Sequence, residues 1–402
     1  MENAVGGTDF AASLRVLLVS CFLMQLLIGV VGITVPIYAA GLGASPLFLG
    51  IIGATGGFIY SFMPFVSGVL SDRIKRSIFI FASIFLYGLA NVLYFLAESP
   101  LMLLPIKALE WISVAMFWPS AEALLTDSSG EKLEVNLRKF NLSWSSGTIA
   151  GPIIGGMLIS LAGIKTPFAL SSVSAFALSL LVLAKIKEAA SKKISNQGGF
   201  NRYDNGRAPF TMAVMAVILF SFISGVIYNI FPAHATSLGI PAHEVGLILL
   251  ANGLFRMVAF TEAYRIEAKI GMSNIFLIGS LVIASASAMS LISSTTLMFF
   301  SAFSIFGLGM GLLYAASIAH ILKGWGSAKG HAAGIFESFI GIGNLLGSST
   351  GGLISEYIAL NAPYMLIFAA SLALVIYQAS HMLRRKHVHQ GSMRNTLNRR
   401  CF

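Results

Sequence analysis

The chain has 402 residues, 56% of them hydrophobic and 10% charged, with a formal net charge of +10. A soluble domain carries about 25% charged and about 45–50% apolar residues, so this composition excludes a soluble globular enzyme and a disordered protein. The two cysteines, Cys21 in an apolar run and Cys401 in a basic tail, exclude a disulfide scaffold. A mean hydropathy of +0.83 over the whole length points to a polytopic membrane protein.

Apolar runs punctuated by Gly, Pro and charge fall at 14–40, 46–70, 77–97, 100–126, 136–163, 166–186, 209–237, 241–265, 272–292, 295–322, 331–357 and 362–383. A spanning helix needs about 20 such residues, and lipid offers no partner for free backbone groups. The runs therefore predict an all-α membrane protein with twelve transmembrane helices. None alternates with the dyad period of a barrel. No A-x-A-like site follows the first run, which is expected to stay as a helix and not to be cleaved as a signal peptide.

The polar stretch 187–208 (EAASKKISNQGGFNRYDNGRA, from Lys187) is rich in Lys, Asn, Gly and Ser and reads as a solvated linker. It separates an N-terminal six-helix half, 1–186, from a C-terminal half, 209–383, followed by a basic, disordered tail, 384–402. With a cytoplasmic N-terminus, all but three of the 26 Lys and Arg fall on the cytoplasmic side. Lys165 lies outside, and Lys107 and Arg256 lie within segments. The positive-inside rule thus places both termini and the tail in the cytoplasm, the tail suiting an anionic leaflet. The basic residues are scattered over many loops, so the charge reports topology and not a nucleic-acid partner.

Sliding the chain on itself by 196 residues aligns Gly29 with Gly225, Pro36 with Pro232, Leu42-Gly43 with Leu238-Gly239, and Gly50 and Gly57 with Gly246 and Gly253. Gly147, Gly151, Gly155 and Gly156 meet Gly343, Gly347, Gly351 and Gly352. An even number of helices per half gives both halves one orientation. This predicts a parallel repeat about an axis along the membrane normal, the arrangement of two-halved secondary transporters with a site between the halves.

Segments 2 and 3 are joined by Gly68-Val69-Leu70-Ser71-Asp72-Arg73-Ile74-Lys75-Arg76. This resembles the loop motif G-x-L-[AS]-D-R-x-G-R of the major facilitator superfamily, with Lys75 at the usual Gly. The helix count, the six-plus-six split, the orientation and the repeat extend the likeness over essentially the whole chain. The resemblance implies a gating role. Asp72 would sit at the start of segment 11 near His331–Gly334, where free N–H groups and the dipole favour an anion. Arg73 shares the motif, and Arg76 would pair with Asp127 at the end of segment 4. The matching stretch of the second half, Thr261–Gly271 with Glu267, is degenerate. In segment 5, Gly147-x3-Gly151-Pro152-x2-Gly155-Gly156 resembles the core of a motif of proton-coupled drug antiporters. Glycines four apart also let helices approach closely, and Pro152 invites a kink. In segment 4, Lys107, Glu110 and Trp111 stand where the family has Arg, Gln and Gly.

Ionisable groups within a span face a cavity or a partner. Lys107 lies about 10 Å and Glu110 about 15 Å into segment 4, three residues apart and so on one face. Arg256 in segment 8 and Glu337 in segment 11 lie at matching depths and are expected to pair, since those segments are neighbours in the family's fold. Glu110 and Glu337 are the proton-coupling candidates, because a desolvated carboxyl can load and unload a proton near neutrality. The plainer reading is that Lys107, Glu110, Arg256 and Glu337 form two neutral pairs that only hold helices together.

The cavity-lining candidates are Gln25, Tyr38, Trp118, Tyr228, Asn229 and Tyr314, with Asn141, Trp144 and Asn252. His234 reads as an interfacial histidine and not as a metal ligand. No Cys/His cluster, nucleotide loop or nucleophile elbow appears, so no metal, cofactor or catalytic residue is expected. These residues together predict a secondary active transporter of the plasma membrane, monomeric, that rocks two halves around a small-molecule substrate. Proton-coupled efflux of an amphipathic or drug-like compound leads. Uptake of a small organic solute, or of an anion held by Lys107 or Arg256, is the alternative. A receptor or scaffold on the same fold is the alternative of another class.

Overall fold

The computed structural model describes the backbone of residues 2–71, 74–129, 133–186, 207–323 and 329–398. Side chains are described for these except 2–12, 127–128, 133–134, 207–209, 322–323, 329–333 and 381–398. The expected linker falls outside the described residues over 187–206, as do Asp72, Arg73 and the side chain of Asp127.

The described residues form helices and their turns: α1 (Glu2–Gly41), α2 (Pro46–Ser71), α3 (Arg76–Leu96), α4 (Pro100–Ser129), α5 (Leu133–Ala162), α6 (Thr166–Lys185), α7 (Arg207–Asn229), α8 (Phe231–Ser237), α9 (Ala242–Ile270), α10 (Met272–Leu291), α11 (Thr296–Lys323), α12 (Lys329–Tyr357) and α13 (Ala362–Asn398). Segment 7 is two helices. Pro232 has no N–H for the Tyr228 carbonyl and its ring clashes there; the span breaks at Ile230 and restarts at Phe231. Its repeat partner Pro36 lies inside an unbroken α1. The tail differs from the expected disorder: α13 continues to Asn398, over a stretch without proline to stop it.

Eleven spans among the described residues are long and apolar enough to cross a membrane, α7 and α8 forming one of them. The twelfth, α12, is diluted by Glu337, Asn344, Glu356 and a run of Gly and Ser. Glu356 and Gly352 meet α2 of the other half, while Gly343, Gly347 and Ser348 meet α7 of their own. Helix, span and packing order together make this a twelve-helix membrane fold of two six-helix bundles. The side on which α2 ends and α3 begins is here the linker side, and the opposite side, where α1 turns into α2, the far side. At the far-side turns Gly43 and Gly239 occupy the same left-handed conformation, φ 91° and 82°, which only glycine adopts without strain.

Packing repeats the sequence offset. In the N-terminal half α1 lies against α5; a Cβ on Gly147 would stand 2.5 Å from the Phe22 carbonyl oxygen and one on Gly151 2.6 Å from that of Leu26. In the C-terminal half α7 lies against α12. There a Cβ on Gly343 would stand 2.6 Å from the Ile218 oxygen, and one on Gly347 2.0 Å from the Phe222 oxygen. Every partner is displaced by the same 196 residues. The aromatic pair Trp118–Phe140 (6.1 Å, 88°) likewise recurs as Tyr314–Phe336 (5.4 Å, 72°).

The contacts between halves obey the twofold relation. α2 lies on α12, and α5 on α9. Gly57 approaches the Leu345 nitrogen, while Gly253 approaches Ile149; Gly352 approaches Gly50, while Gly156 approaches Ala242. Small residues allow these helix backbones to touch where lipid supplies no hydrophobic drive for association.

Candidate functional site

Glu337 of α12 reaches across the interface: its carboxyl faces the Tyr60 hydroxyl of α2. Glu122 of α4 also stands within electrostatic range of Glu337, Tyr60, Tyr314 and Cys21. Yet Glu122 is solvent-exposed, whereas Cys21 and Tyr60 are buried. An acid that is exposed and still faces groups on the inner faces of α1, α2, α11 and α12 lines a crevice between the halves. Trp118 lies one turn from Glu122 on α4. Tyr314, against Phe220 (5.0 Å), Phe260 (5.8 Å) and Phe336, closes the opposite wall.

Arg256 and Glu337 do not pair in this conformation. The ion pairs among the described residues are Lys107–Glu110, Arg265–Glu262 and the longer His243–Glu244 contact. The expected neighbourhood of their helices is also not found: α9 packs on α5 and α11, α12 on α2 and α7. Arg256 instead faces Tyr314.

Lys107 and Glu110 do pair, and they do so inside the N-terminal half. Glu110 Oε2 accepts from Lys107 Nζ at 3.0 Å and from the Tyr94 hydroxyl of α3 at 2.7 Å. Their exposures are 4% and 1%. Tyr94 stacks on Phe168 of α6 (5.2 Å, 22°). Two ions taken out of water cost several kcal/mol each unless the remaining lone pairs and protons are satisfied, and Tyr94 supplies one such bond. Lys107 is thereby committed and turned away from the crevice. A chain of contacts still links the pair to it. The Lys107 ammonium lies 5.7 Å over the Trp111 ring, and Trp111 stands edge-on to Tyr60 (5.3 Å, 80°), the ring that faces Glu337. The Trp111 indole nitrogen is buried without a hydrogen-bond partner, close over Gly56.

The remaining cavity candidates divide. Gln25 and Tyr228 are half-buried, and Asn141 accepts from Trp144 Nε1 at 3.1 Å. Asn229 donates to Ser348 Oγ at 2.9 Å and lies over Gly53 of α2, in the contact between halves. Two turn away from the crevice. Asn252 is fully buried and donates to the Phe303 carbonyl, which fixes α9 on α11. Tyr38 is buried against Phe168 and donates to the Ala97 carbonyl. Both satisfy a polar group inside a half, the requirement that outweighs cavity exposure in lipid. His234 lies among Phe299 and Tyr364. Of the loop motif, Gly68 has open space where a Cβ would be, and Arg76 begins α3 half-buried. Among the described residues no three His, Cys, Asp or Glu gather as metal ligands.

Sequence reasoning passed over Glu122 because it lies near the end of its segment, and Tyr60 because α2 was not counted as cavity-lining. Their signal was present. Trp118 and Glu122 are four apart, and Tyr60 is a polar aromatic ten residues inside an apolar run.

The far side is closed by hydrogen bonds between halves. The Leu47 N–H at the start of α2 donates to Glu356 Oε2 at the end of α12, at 3.2 Å. The His243 N–H at the start of α9 donates to Ser160 Oγ at the end of α5, also at 3.2 Å. With Glu122 exposed near the linker-side end of α4 and these ends in contact, the crevice opens toward the linker side.

Comparison with known proteins places this geometry among transporters. The family model described as Major Facilitator Superfamily matches residues 17–227 and again 212–392, close to once per half. An MFS-type transporter of Methanocaldococcus jannaschii, itself uncharacterized, is 25% identical over 91% of this chain and 97% of its own length. Quinolone resistance protein NorA of Staphylococcus aureus is 21% identical over 92% of this chain and 97% of its own. Among solved structures, a mutant of the nucleoside transporter NupG superposes with a TM-score of 0.77 at 13% identity, covering 92% of this chain and 99% of that one. A bacterial homologue of the human lysosomal transporter Spinster superposes with a TM-score of 0.76 at 14% identity, covering 93% and 96%.

Proposed function

The chain belongs to the major facilitator superfamily, and from that premise we propose that it exports an amphipathic or drug-like compound in exchange for protons. The observation that carries this reading is the pair of acids that face each other between the halves, one from each: Glu122 exposed on α4 and Glu337 on α12, opposite Tyr60 of α2. A carboxyl that binds a proton in one conformation and gives it up in the other ties the proton's path to the rocking motion, and Glu337 touches both halves. Glu110 is the weaker carrier, because its oxygen is occupied by Lys107 and Tyr94. The wall of Trp118, Tyr314 and Phe260 offers apolar area with few fixed hydrogen bonds, which suits an amphipathic solute more than a sugar. The likeness to a quinolone resistance protein supports a drug-like substrate. The basic loops set the linker side in the cytoplasm of a plasma-membrane protein, so the crevice described above is loaded from inside. Asp72 and Arg76 gate that side.

The test is flux in proteoliposomes, with and without an imposed pH gradient, over a panel of dyes and small solutes. Driven efflux of at least one amphipathic compound is expected. Glu337→Gln abolishes the driven component and spares exchange of substrate against substrate, which needs no net proton movement. Flux indifferent to the gradient in the native chain would overturn proton coupling.

A further inference from the structure

The two hydrogen bonds that close the far side are related by the internal repeat. Ser160 and Glu356 are 196 residues apart, and so are Leu47 and His243. In each case the second residue of a helix, α2 or α9, has its backbone N–H capped by a side chain near the last turn of a helix from the opposite half. The first backbone N–H groups of any helix have no partner within it. α9 begins at Pro241 with no side-chain cap of its own, so Ser160 supplies one in trans. Ser160 Oγ also lies 3.2 Å from His243 Nδ1. α2 has a cap of its own, Phe48 N–H to Ser45 Oγ at 3.3 Å; Glu356 adds a carboxylate at the positive end of its dipole.

We propose that Ser160 and Glu356 are twin trans caps that set the conformational equilibrium, holding the far side shut until both release. Rocking the halves apart on this side separates α5 from α9 and α2 from α12, and each separation strips a helix start of its cap. Water replaces the lost acceptors, because Ser160, His243 and Glu356 are exposed at the rim. The latch is therefore weak enough to cycle and strong enough to bias. Ser160 and Glu356 are positioning residues: they act on access to the site and do not touch what is carried. The proposal is independent of the solute and of the coupling ion.

The full chain, with Cys21→Ala and Cys401→Ser, is spin-labelled at Leu101→Cys and Leu297→Cys and reconstituted in lipid nanodiscs. Both leucines are exposed, at the far-side starts of α4 and α11, one in each half. The double variant Ser160→Val, Glu356→Leu raises the ratio of long to short label distances about tenfold, the combined loss of two caps. Ser160→Thr keeps the acceptor and the native distribution, while Glu356→Gln keeps an acceptor but loses the charge at the helix start and gives a smaller shift than Glu356→Leu. Should the double variant not survive purification, Ser160→Val and Glu356→Leu singly carry the test, each with roughly a threefold shift. A native distance distribution in the cap-less variants overturns the proposal, as does an equal shift in the acceptor-keeping ones. Lower thermal stability without any change in distances assigns both residues to packing alone and overturns it too.

Discussion

The Tyr60 hydroxyl of one half faces the Glu337 carboxyl of the other. The ring behind that hydroxyl stands edge-on to Trp111, which in turn lies under the Lys107 ammonium. The acid is thus coupled to the separation of the halves through its Tyr60 contact and to the interior of the N-terminal half through two aromatic rings. A hydrogen bond to a charged group contributes about 1.5–3 kcal/mol. Tyr60→Phe and Glu337→Gln, singly and together, should give a coupling free energy of about 1–2 kcal/mol from thermal or denaturant unfolding in detergent. Additive effects would show that the two do not interact.

The Lys107–Glu110 pair should behave as a structural unit. Glu110→Gln leaves a buried ammonium without its counter-charge, which costs about 3–5 kcal/mol in other proteins. Expression and thermal stability should fall accordingly. The double variant Lys107→Met, Glu110→Gln removes both charges and should regain stability and gradient-driven flux together. Recovery of driven flux excludes Glu110 as the proton carrier; stable protein that has lost only the driven flux would return that role to it.

The spans, their six-plus-six division and the parallel repeat were legible because lipid leaves few ways to satisfy a backbone, and because packing glycines must recur wherever the same backbone contact recurs. Gly147 and Gly343 meet Phe22 and Ile218, partners that the sequence offset already pairs. The site was legible in kind and not in its pairings. Charge and depth flagged Lys107, Glu110, Arg256 and Glu337, but depth says nothing of azimuth. Three residues on one turn placed Lys107 beside Glu110; the partner of Glu337 depended on which helices the halves bring together, and that proved to be α2 and not α9. Leu47 and His243 were invisible for another reason. Their contribution is a backbone N–H, which every residue but proline has.

Asp72→Asn should leave a folded, inserted protein that transports slowly. The resemblance of the loop motif implies that this acid, which follows α2 in the chain, would sit beside the start of α12; α2 and α12 run antiparallel in contact along the interface. An anion at a helix start contributes about 0.3–1 kcal/mol, more when partly buried. Removing the charge should destabilise the conformation closed on the linker side, the opposite shift from that of the far-side caps. Initial rates in proteoliposomes, set against the amount of folded protein by size-exclusion chromatography, measure this. A native rate at native abundance would sink the gating role.

Glycines of α12 separate folding from gating. A Cβ on Gly347 would stand 2.0 Å from the Phe222 oxygen of α7, within one half, and one on Gly352 2.6 Å from the Gly50 Cα of α2, across the interface on the far side. Neither obstacle is a flexible side chain, so backbone must move in both cases. Overpacking of this kind costs about 1–3 kcal/mol. Within a half every conformation bears that cost, so Gly347→Ala should lower the unfolding midpoint and the yield of monodisperse protein. Across the interface only the far-side-closed conformation bears it. Gly352→Ala should therefore unfold near the native midpoint while the Leu101–Leu297 label distances lengthen, because the strained state loses to the one in which α2 and α12 part on the far side. Equal losses of midpoint in the two variants, with no change in distances, would show that the α2–α12 contact is part of the fixed core and does not open.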